Sequence, residues 1–317
     1  MKSFWENLPH PFTVLAPMDG VTDFVFRQVI AEIGRPDVFF TEFTNVEGLT
    51  SLKGSEKVAQ SLKFGKNELP IVAHLFGKEP EAFYKSAKIC KKMGFSGIDI
   101  NTGCPDRVIV RRGSCAALIK NSKLVEEILE ATRKGADGLP VSVKTRLGFD
   151  RIDLEWIKFL LQQNMPALTI HLRTVAELSK VPAHWEIMPE IIKLRNEISP
   201  KTLIIGNGDI LSFEEIESKF KEYRSDGFMV GRGIFQNPWF FNKNIDVEKV
   251  TINERLDLYI KHINLFDKTW KNVNPGFLKK FCKTYISNFP DALSLREKIM
   301  ECTETAEMKE ILNAHKI

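Results

Sequence analysis

The chain has 317 residues, 43% of them hydrophobic and 27% charged, with a formal net charge of +4 at pH 7. These are the proportions of an ordinary globular protein, which excludes a disordered or low-complexity chain, and the mildly basic balance permits an RNA partner without requiring one. The five cysteines are scattered without a CxxC pair, which argues against a disulfide framework or a zinc site and for a reducing, cytoplasmic setting with no metal.

The opening residues, MKSFWENLPHPFTVLAPM, carry one short apolar stretch that runs into a proline motif. No window approaches the roughly 18 apolar residues of a membrane span, so neither a signal peptide nor an anchor is expected. Short β-branched runs then alternate with amphipathic stretches of helical length, the pattern of repeated βα units on a parallel sheet. Strands are predicted at 13–16, 37–42, 70–76, 97–101, 140–146, 167–171, 202–206 and 226–231. Eight such units make the fold class α/β and the architecture a (β/α)8 TIM barrel.

The helices between the strands carry their own punctuation. Glu79-Pro80 opens one, with Phe83, Ala87 and Cys90 at helical spacing and Gly94 closing it. Ser212, followed three residues later by Glu215, has the spacing of a capping box. After Pro238-Trp239 the strand signals cease, and the remainder reads as helices rich in Lys, Glu, Leu and Ile. The expected organisation is a catalytic barrel over 1–242 followed by a small all-helical domain over 243–317.

In a barrel, chemistry collects in the loops after the strands, at their C-terminal ends. The polar motifs sit there in chain order: Ala16-Pro17-Met18-Asp19-Gly20-Val21-Thr22-Asp23, Asn101-Thr102-Gly103-Cys104-Pro105, Lys144-Thr145-Arg146, His171-Leu172-Arg173-Thr174, Gly206-Asn207-Gly208-Asp209 and Gly231-Arg232-Gly233. Taken singly, each has a bland explanation. Gly-Asn-Gly-Asp serves equally as a strand-to-helix turn, a lone Pro-Met is commonly core packing, and an intracellular cysteine is commonly buried and inert. Lys144 differs, because the alternation in Val-Ser-Val-Lys-Thr-Arg points it inward.

In this order and at these spacings, the set resembles the dihydrouridine synthase family over nearly the whole chain, the helical C-terminal part included. The resemblance implies a barrel that binds FMN and reduces uridine to dihydrouridine in tRNA at the expense of NADPH. No Rossmann fingerprint is present, so NADPH is expected as a transient reductant. Asn207, Gly208, Asp209, Gly231 and Arg232, together with Gly206, match the family's phosphate and ribityl contacts. Pro17 and Met18 match positions under the isoalloxazine ring, with Asp19 beside them as a further cofactor candidate. Lys144 matches a lysine at the ring's pyrimidine edge, where a cation stabilises negative charge on the reduced ring, and His171 is also expected near the flavin.

The same resemblance makes Cys104 the proton donor. Hydride delivered to C6 of uracil leaves enolate charge to be quenched at C5, and a thiol with an ordinary pKa of about 8.5 is mostly protonated at neutral pH. Asn101, Arg146 and Arg173 match positions around the base. The loop 106–116, with Arg107, Arg111 and Arg112, resembles the family's mobile lid. Two departures stand out. His74-Leu75-Phe76-Gly77 replaces the usual Gln-Leu-Phe-Gly, so His74 is expected to donate one hydrogen bond to the ring edge and to alter affinity or redox tuning. Leu172 replaces a glycine, which is expected to shift the fit of base or flavin.

A uracil in folded tRNA must be drawn out of its stack, and the RNA gripped elsewhere for register. The stretch 268–285 interleaves Lys268, Lys271, Lys279, Lys280 and Lys283 with Trp270, Phe277, Phe281 and Tyr285 and has no acidic residue. Lys279, Lys280 and Lys283 are the expected phosphate contacts, whereas the aromatics are expected to pack internally. Two other readings remain open at this point: an FMN barrel acting on a free pyrimidine or enone, and a catalytically silent tRNA-binding protein.

Overall fold

The computed structural model describes residues 3–271 and 274–316. Among these residues nine parallel strand segments form one sheet: β1 (Phe12–Leu15), β2 (Phe39–Phe40), β3 (Thr44–Asn45), β4 (Ile71–Phe76), β5 (Gly97–Asn101), β6 (Val141–Arg146), β7 (Ala167–His171), β8 (Leu203–Asn207) and β9 (Gly227–Val230). The strand order is β1-β9-β8-β7-β6-β5-β4-β2, with β3 also on β4, and a parallel bridge between Val14 and Val38 brings the two ends of the sheet together. The result is the barrel of eight staves read from the sequence, the second stave being β2 and β3 in succession.

That second stave departs from the uninterrupted strand expected at 37–42. Phe40 pairs with Val72 and Thr44 with Leu75, so four steps on one side match three on the other. One extra residue is accommodated within 41–43 as a bulge, a device that re-aims side chains next to functional sites.

Two apolar clusters show which way the strands face. One consists of Trp5 with alternate strand residues, among them Phe12 and Val14 of β1, Phe40 of β2, Val72 of β4, Ile205 of β8 and Met229 of β9, and it contains no residue of a long helix. This is the barrel interior. The other joins the intervening strand positions, such as Ile98, Ile100, Val141, Val143, Leu168 and Ile170, to the surrounding helices. Because side chains alternate along a strand, Asp99, Asn101, Ser142, Lys144, Arg146 and His171 all turn inward.

The long helices of the barrel are α1 (Phe24–Ile33), α2 (Pro80–Met93), α3 (Ser122–Ala136), α4 (Leu154–Gln162), α5 (Met188–Ile198) and α6 (Phe213–Tyr223). α2 begins with Pro80, buries Phe83, Ala87 and Cys90, and ends at Gly94, whose φ of 87° is the left-handed cap that glycine permits. At α6 the Ser212 hydroxyl accepts from Glu215 N at 3.3 Å, whereas the Glu215 carboxylate takes Leu211 N at 2.9 Å in place of Ser212 N. The expected capping box is therefore half formed.

After β9 the chain is helical, with α7 (Ile252–Thr269), α8 (Ala292–Glu301) and α9 (Thr305–Ala314) the long elements. These helices pack directly on the barrel. Phe26 of α1 stacks on Phe281 at 4.8 Å and lies 5.8 Å from His262 of α7, and Trp270 Nε1 donates to Asp23 at 3.4 Å. Asn242, at the expected boundary, donates to the Ile33 carbonyl at 2.7 Å. One apolar cluster runs without a break from the barrel's outer layer into this region. Among the described residues no helix is long and apolar enough to cross a membrane.

Candidate active site

A cavity of about 570 Å³ opens among the loops at the C-terminal ends of the strands, within the range of about 300–1,000 Å³ usual for small-molecule and cofactor sites. Of the residues singled out in the sequence, Pro17, Met18, His74, Asn101, Cys104, Lys144, Arg146, His171, Asn207, Gly208, Asp209, Gly231 and Arg232 line it. The stave order places β5, whose following loop carries Cys104, three positions from β8 and four from β9, so the thiol and the glycine-rich turns face each other across the mouth.

Each side chain is held by its neighbours. Asn101 Oδ1 accepts from Gly103 N at 2.9 Å and Cys104 N at 3.0 Å, which folds the Gly-Cys-Pro loop back over the strand end. Arg146, itself buried, donates to the carbonyls of Gly103 at 2.8 Å and of Thr174 and Leu178 at 2.9 Å, tying this loop to the one after β7. Lys144 Nζ donates to Asn207 Oδ1 at 3.1 Å, and Asn207 Nδ2 to the Met229 carbonyl at 2.7 Å. Burial, with Arg146 nearby, brings the Lys144 ammonium down to about 8, so it still carries its charge at neutral pH.

The thiol differs from its sequence expectation. A hydrogen bond from the buried Cys115 favours the thiolate of Cys104 and outweighs the opposing effect of burial, bringing its pKa down to about 7. The group is therefore roughly half ionised at neutral pH, where an unperturbed thiol is mostly protonated. Cys115 is pushed well above the usual thiol range by the same contact and by burial. It reaches its partner because the segment after Cys104 turns back at Gly113 and Cys115, both at positive φ, so that Ala116 N donates to the Cys104 carbonyl at 3.3 Å.

At the opposite side of the mouth, the backbone N–H groups of Gly208, Asp209, Arg232 and Gly233 donate to no protein acceptor among the described residues. Gly208 has φ of 133° and an added Cβ would lie 2.7 Å from that of Ala183, so only glycine fits there. The Arg232 side chain is largely exposed and pairs with Asp209 at 3.2 Å. Such a set of unpaired N–H groups with one guanidinium suits an anionic phosphate.

Several expected contacts are placed elsewhere. Arg173 does not line the cavity. It is buried, donates to His171 Nε2 at 3.1 Å and to the Val181 carbonyl at 2.6 Å, and is ion-paired with Asp209, so its donors are used in bracing the wall. Burial first, then the cations Lys144, Arg146 and Arg173, hold the His171 imidazole far below its ordinary pKa and therefore neutral. Asp19 is exposed and outside the cavity lining. The Gly206 position is glycine because an added Cβ would lie 2.5 Å from the Trp185 ring, on the outer face, and not for the sake of a ligand. Leu172 points into the outer apolar cluster, so it does not alter the cavity as expected: inward His171 forces its successor outward.

Other lining residues escaped the sequence reading. Phe43 arrives through the bulge, and Ser179, Met229 and Gln236 lie outside the recognisable motifs. Asp99, Ser142 and Cys115, which touch the lining residues from behind, were visible only as inward positions of strands or as one more scattered cysteine.

The lysines of the helical region lie outside the cavity, along a groove lined by Lys279, Lys280, Lys283 and Arg296 together with Glu297 and Glu301. Lys279 Nζ donates to the Met300 carbonyl at 2.7 Å, while Lys280 reaches across to the Gly20 carbonyl on the loop after β1 and sits 4.9 Å over the Phe277 ring. The aromatics pack internally as expected for Phe281 and Tyr285, and Phe277 is the exception at 52% exposure.

Comparison with known proteins decides the family. The family description "Dihydrouridine synthase (Dus)" matches residues 14–317. A probable tRNA-dihydrouridine synthase of Staphylococcus aureus (strain MRSA252) is 44% identical over 98% of this chain and 95% of its own length. The chain belongs to the dihydrouridine synthase family. It is accordingly an enzyme, a flavin-dependent oxidoreductase that reduces uridine to dihydrouridine in tRNA. Probable tRNA-dihydrouridine synthase 2 of Bacillus subtilis (strain 168) is likewise 44% identical, over 98% of this chain and 96% of its own length. Among solved structures, a 2-naphthoyl-CoA reductase complex superposes with a TM-score of 0.56 at 12% identity over 73% of this chain and 49% of its own. A variant of NCR from Zymomonas mobilis covers 92% of this chain and 98% of its own at a TM-score of 0.50 and 16% identity. At such identities the likeness shows the barrel fold alone.

Proposed function

We propose that the cavity holds FMN and admits one uridine from the D-loop region of tRNA, which is reduced to 5,6-dihydrouridine with NADPH as the electron source. The observation that carries this reading is the meeting, in one cavity, of a phosphate-type cradle at Gly208, Asp209, Arg232 and Gly233 with the thiol of Cys104 on the facing side. When bound, the flavin supplies hydride to C6 of the base.

This chain's own residues do the rest. Lys144 and Arg146 place positive charge beside the region where the uracil carbonyls gain negative charge, and their burial strengthens that effect. Cys104 Sγ gives up its proton at C5, and Cys115 stabilises the thiolate left behind. Lys279, Lys280 and Lys283 hold phosphates of the tRNA outside the mouth, with Lys280 already reaching the loop after β1 at Gly20. The helical region from 243 onward acts as the RNA-binding domain.

The test is reoxidation of the reduced protein under anaerobic conditions. Protein reduced by NADPH should be reoxidised by tRNA lacking dihydrouridine, with dihydrouridine appearing in the RNA, and far more slowly by free uracil or a simple enone. Reoxidation by the small molecules alone would instead favour a free-substrate reductase, and protein that takes up no FMN would restore the silent RNA-binding reading.

A further inference from the structure

His74 is an inward-facing, fully buried residue of β4, and its surroundings fix the direction of its hydrogen bonding. Three inward residues of adjacent strands stand in register: His74 of β4 opposite Asp99 of β5, and Asp99 opposite Ser142 of β6. The contacts follow that register. Ser142 Oγ donates to Asp99 Oδ1 at 2.6 Å, and Asp99 Oδ2 lies 2.8 Å from His74 Nδ1. A carboxylate only accepts, so the proton between them sits on Nδ1.

The ring has no freedom to reverse this arrangement. His74 is fully buried, its backbone N–H is held by Thr41 Oγ1 at 3.0 Å, and the rings of Phe43 and Phe40 lie 5.0 and 6.1 Å away. Burial holds the imidazole below its ordinary pKa, so it carries a single proton at neutral pH. With that proton on Nδ1, Nε2 is a bare lone pair. It is also buried without a hydrogen-bond partner among the described residues, on a residue that lines the cavity together with Lys144. An orphaned buried acceptor is costly, and native proteins keep one where a ligand satisfies it.

We propose that His74 Nε2 accepts a hydrogen bond from an imide N–H, the group flanked by two carbonyls that the flavin's pyrimidine ring and uracil share, and that Asp99 and Ser142 are positioning residues that fix this polarity. The proposal rests on the flavin and uridine reading above and reverses the donor role expected from the sequence. It gives the cavity floor a complementary pair: Lys144 as donor for a carbonyl oxygen and His74 as acceptor for the neighbouring N–H. A glutamine at this position can turn either end of its amide to the ligand, whereas this histidine offers only a lone pair.

Two measurements test it. ¹⁵N NMR of histidine-labelled protein should show His74 protonated at Nδ1 and bare at Nε2, and a proton on Nε2 would overturn the proposal. In parallel, the flavin-free protein should bind FMN roughly ten-fold more tightly than 3-methyl-FMN, whose imide proton is replaced. The flavin-loaded protein should be compared on tRNA carrying uridine or 3-methyluridine at the target position. Preference in the first pair makes the flavin the source of the N–H, preference only in the second makes it the base, and preference in neither overturns the proposal. Flavin uptake, read from the visible spectrum, reports separately on the cofactor reading.

Asp99→Asn sharpens both measurements. Ser142 keeps the amide oxygen, the NH2 turns to His74 Nδ1, and the ring proton moves to Nε2. The NMR pattern should invert and the preferred ligand should lose about ten-fold in affinity, with an unchanged melting temperature. Retention of full affinity with an inverted tautomer would count against the acceptor role.

Discussion

The cavity at the barrel mouth and the lysine groove of the helical region do different work by different means. In the cavity, the charged groups behind the chemistry are held by fixed partners on other strands and loops, as in Lys144 on Asn207 or Arg146 on three carbonyls. In the groove, charge is carried on flexible side chains at the surface, with Lys280 and Lys283 exposed. Chemistry needs the first arrangement, because a group misplaced by an ångström loses its effect, while holding a phosphate backbone needs only charge within reach. Substitutions in the two regions should therefore fail differently, the first in rate and the second in affinity.

The largest effect is expected at Cys104. Cys104→Ala should lower dihydrouridine formation by roughly 10²–10⁴-fold while leaving flavin colour and tRNA binding in place, measured by single-turnover assay and by filter binding. Next comes Arg146→Met, which strands three carbonyls that it now satisfies. It should cost about 3 kcal/mol of stability, read from the urea midpoint, and an unchanged midpoint would show that the loops hold themselves. Replacing Lys279, Lys280 and Lys283 by alanine should weaken tRNA binding and flatten its salt dependence by about one unit of slope for each phosphate no longer held. The rate of the bound complex should not change, and a fall in that rate would erase the distinction between the two regions.

The smallest effect concerns pH. The donor must be protonated, so reduction should decline as pH rises through about 7, where the thiol loses its proton. Cys115→Ala removes the hydrogen bond that favours the thiolate, so the thiol pKa rises toward the ordinary value near 8.5 and the decline moves to higher pH. A pH profile that does not shift would separate Cys115 from the acid.

The sequence made the staves, the inward turn of Lys144 and the loop positions of the motifs legible, because each is written in local alternation or in turn-forming residues. What escaped depends on which residues face one another across strands. Arg173 reads as one more donor in His-Leu-Arg-Thr, yet Asp209, 36 positions later, claims it. Gly206 sits in a ligand-like motif but owes its lack of a side chain to Trp185. The bulge that delivers Phe43 appears only when the second stave is laid against β4. The depressed pKa of Cys104 comes from Cys115, which the chain brings back by a turn that no pattern announces.

The most direct test of a mouth that reduces tRNA through the thiol at position 104 is the dihydrouridine content of tRNA, mapped by mass spectrometry, in cells lacking this gene. One or more D-loop positions should lose dihydrouridine, and the intact gene should restore them while the Cys104→Ala gene does not. An unaltered dihydrouridine map in the deleted strain, or full restoration by the alanine variant, would contradict the account.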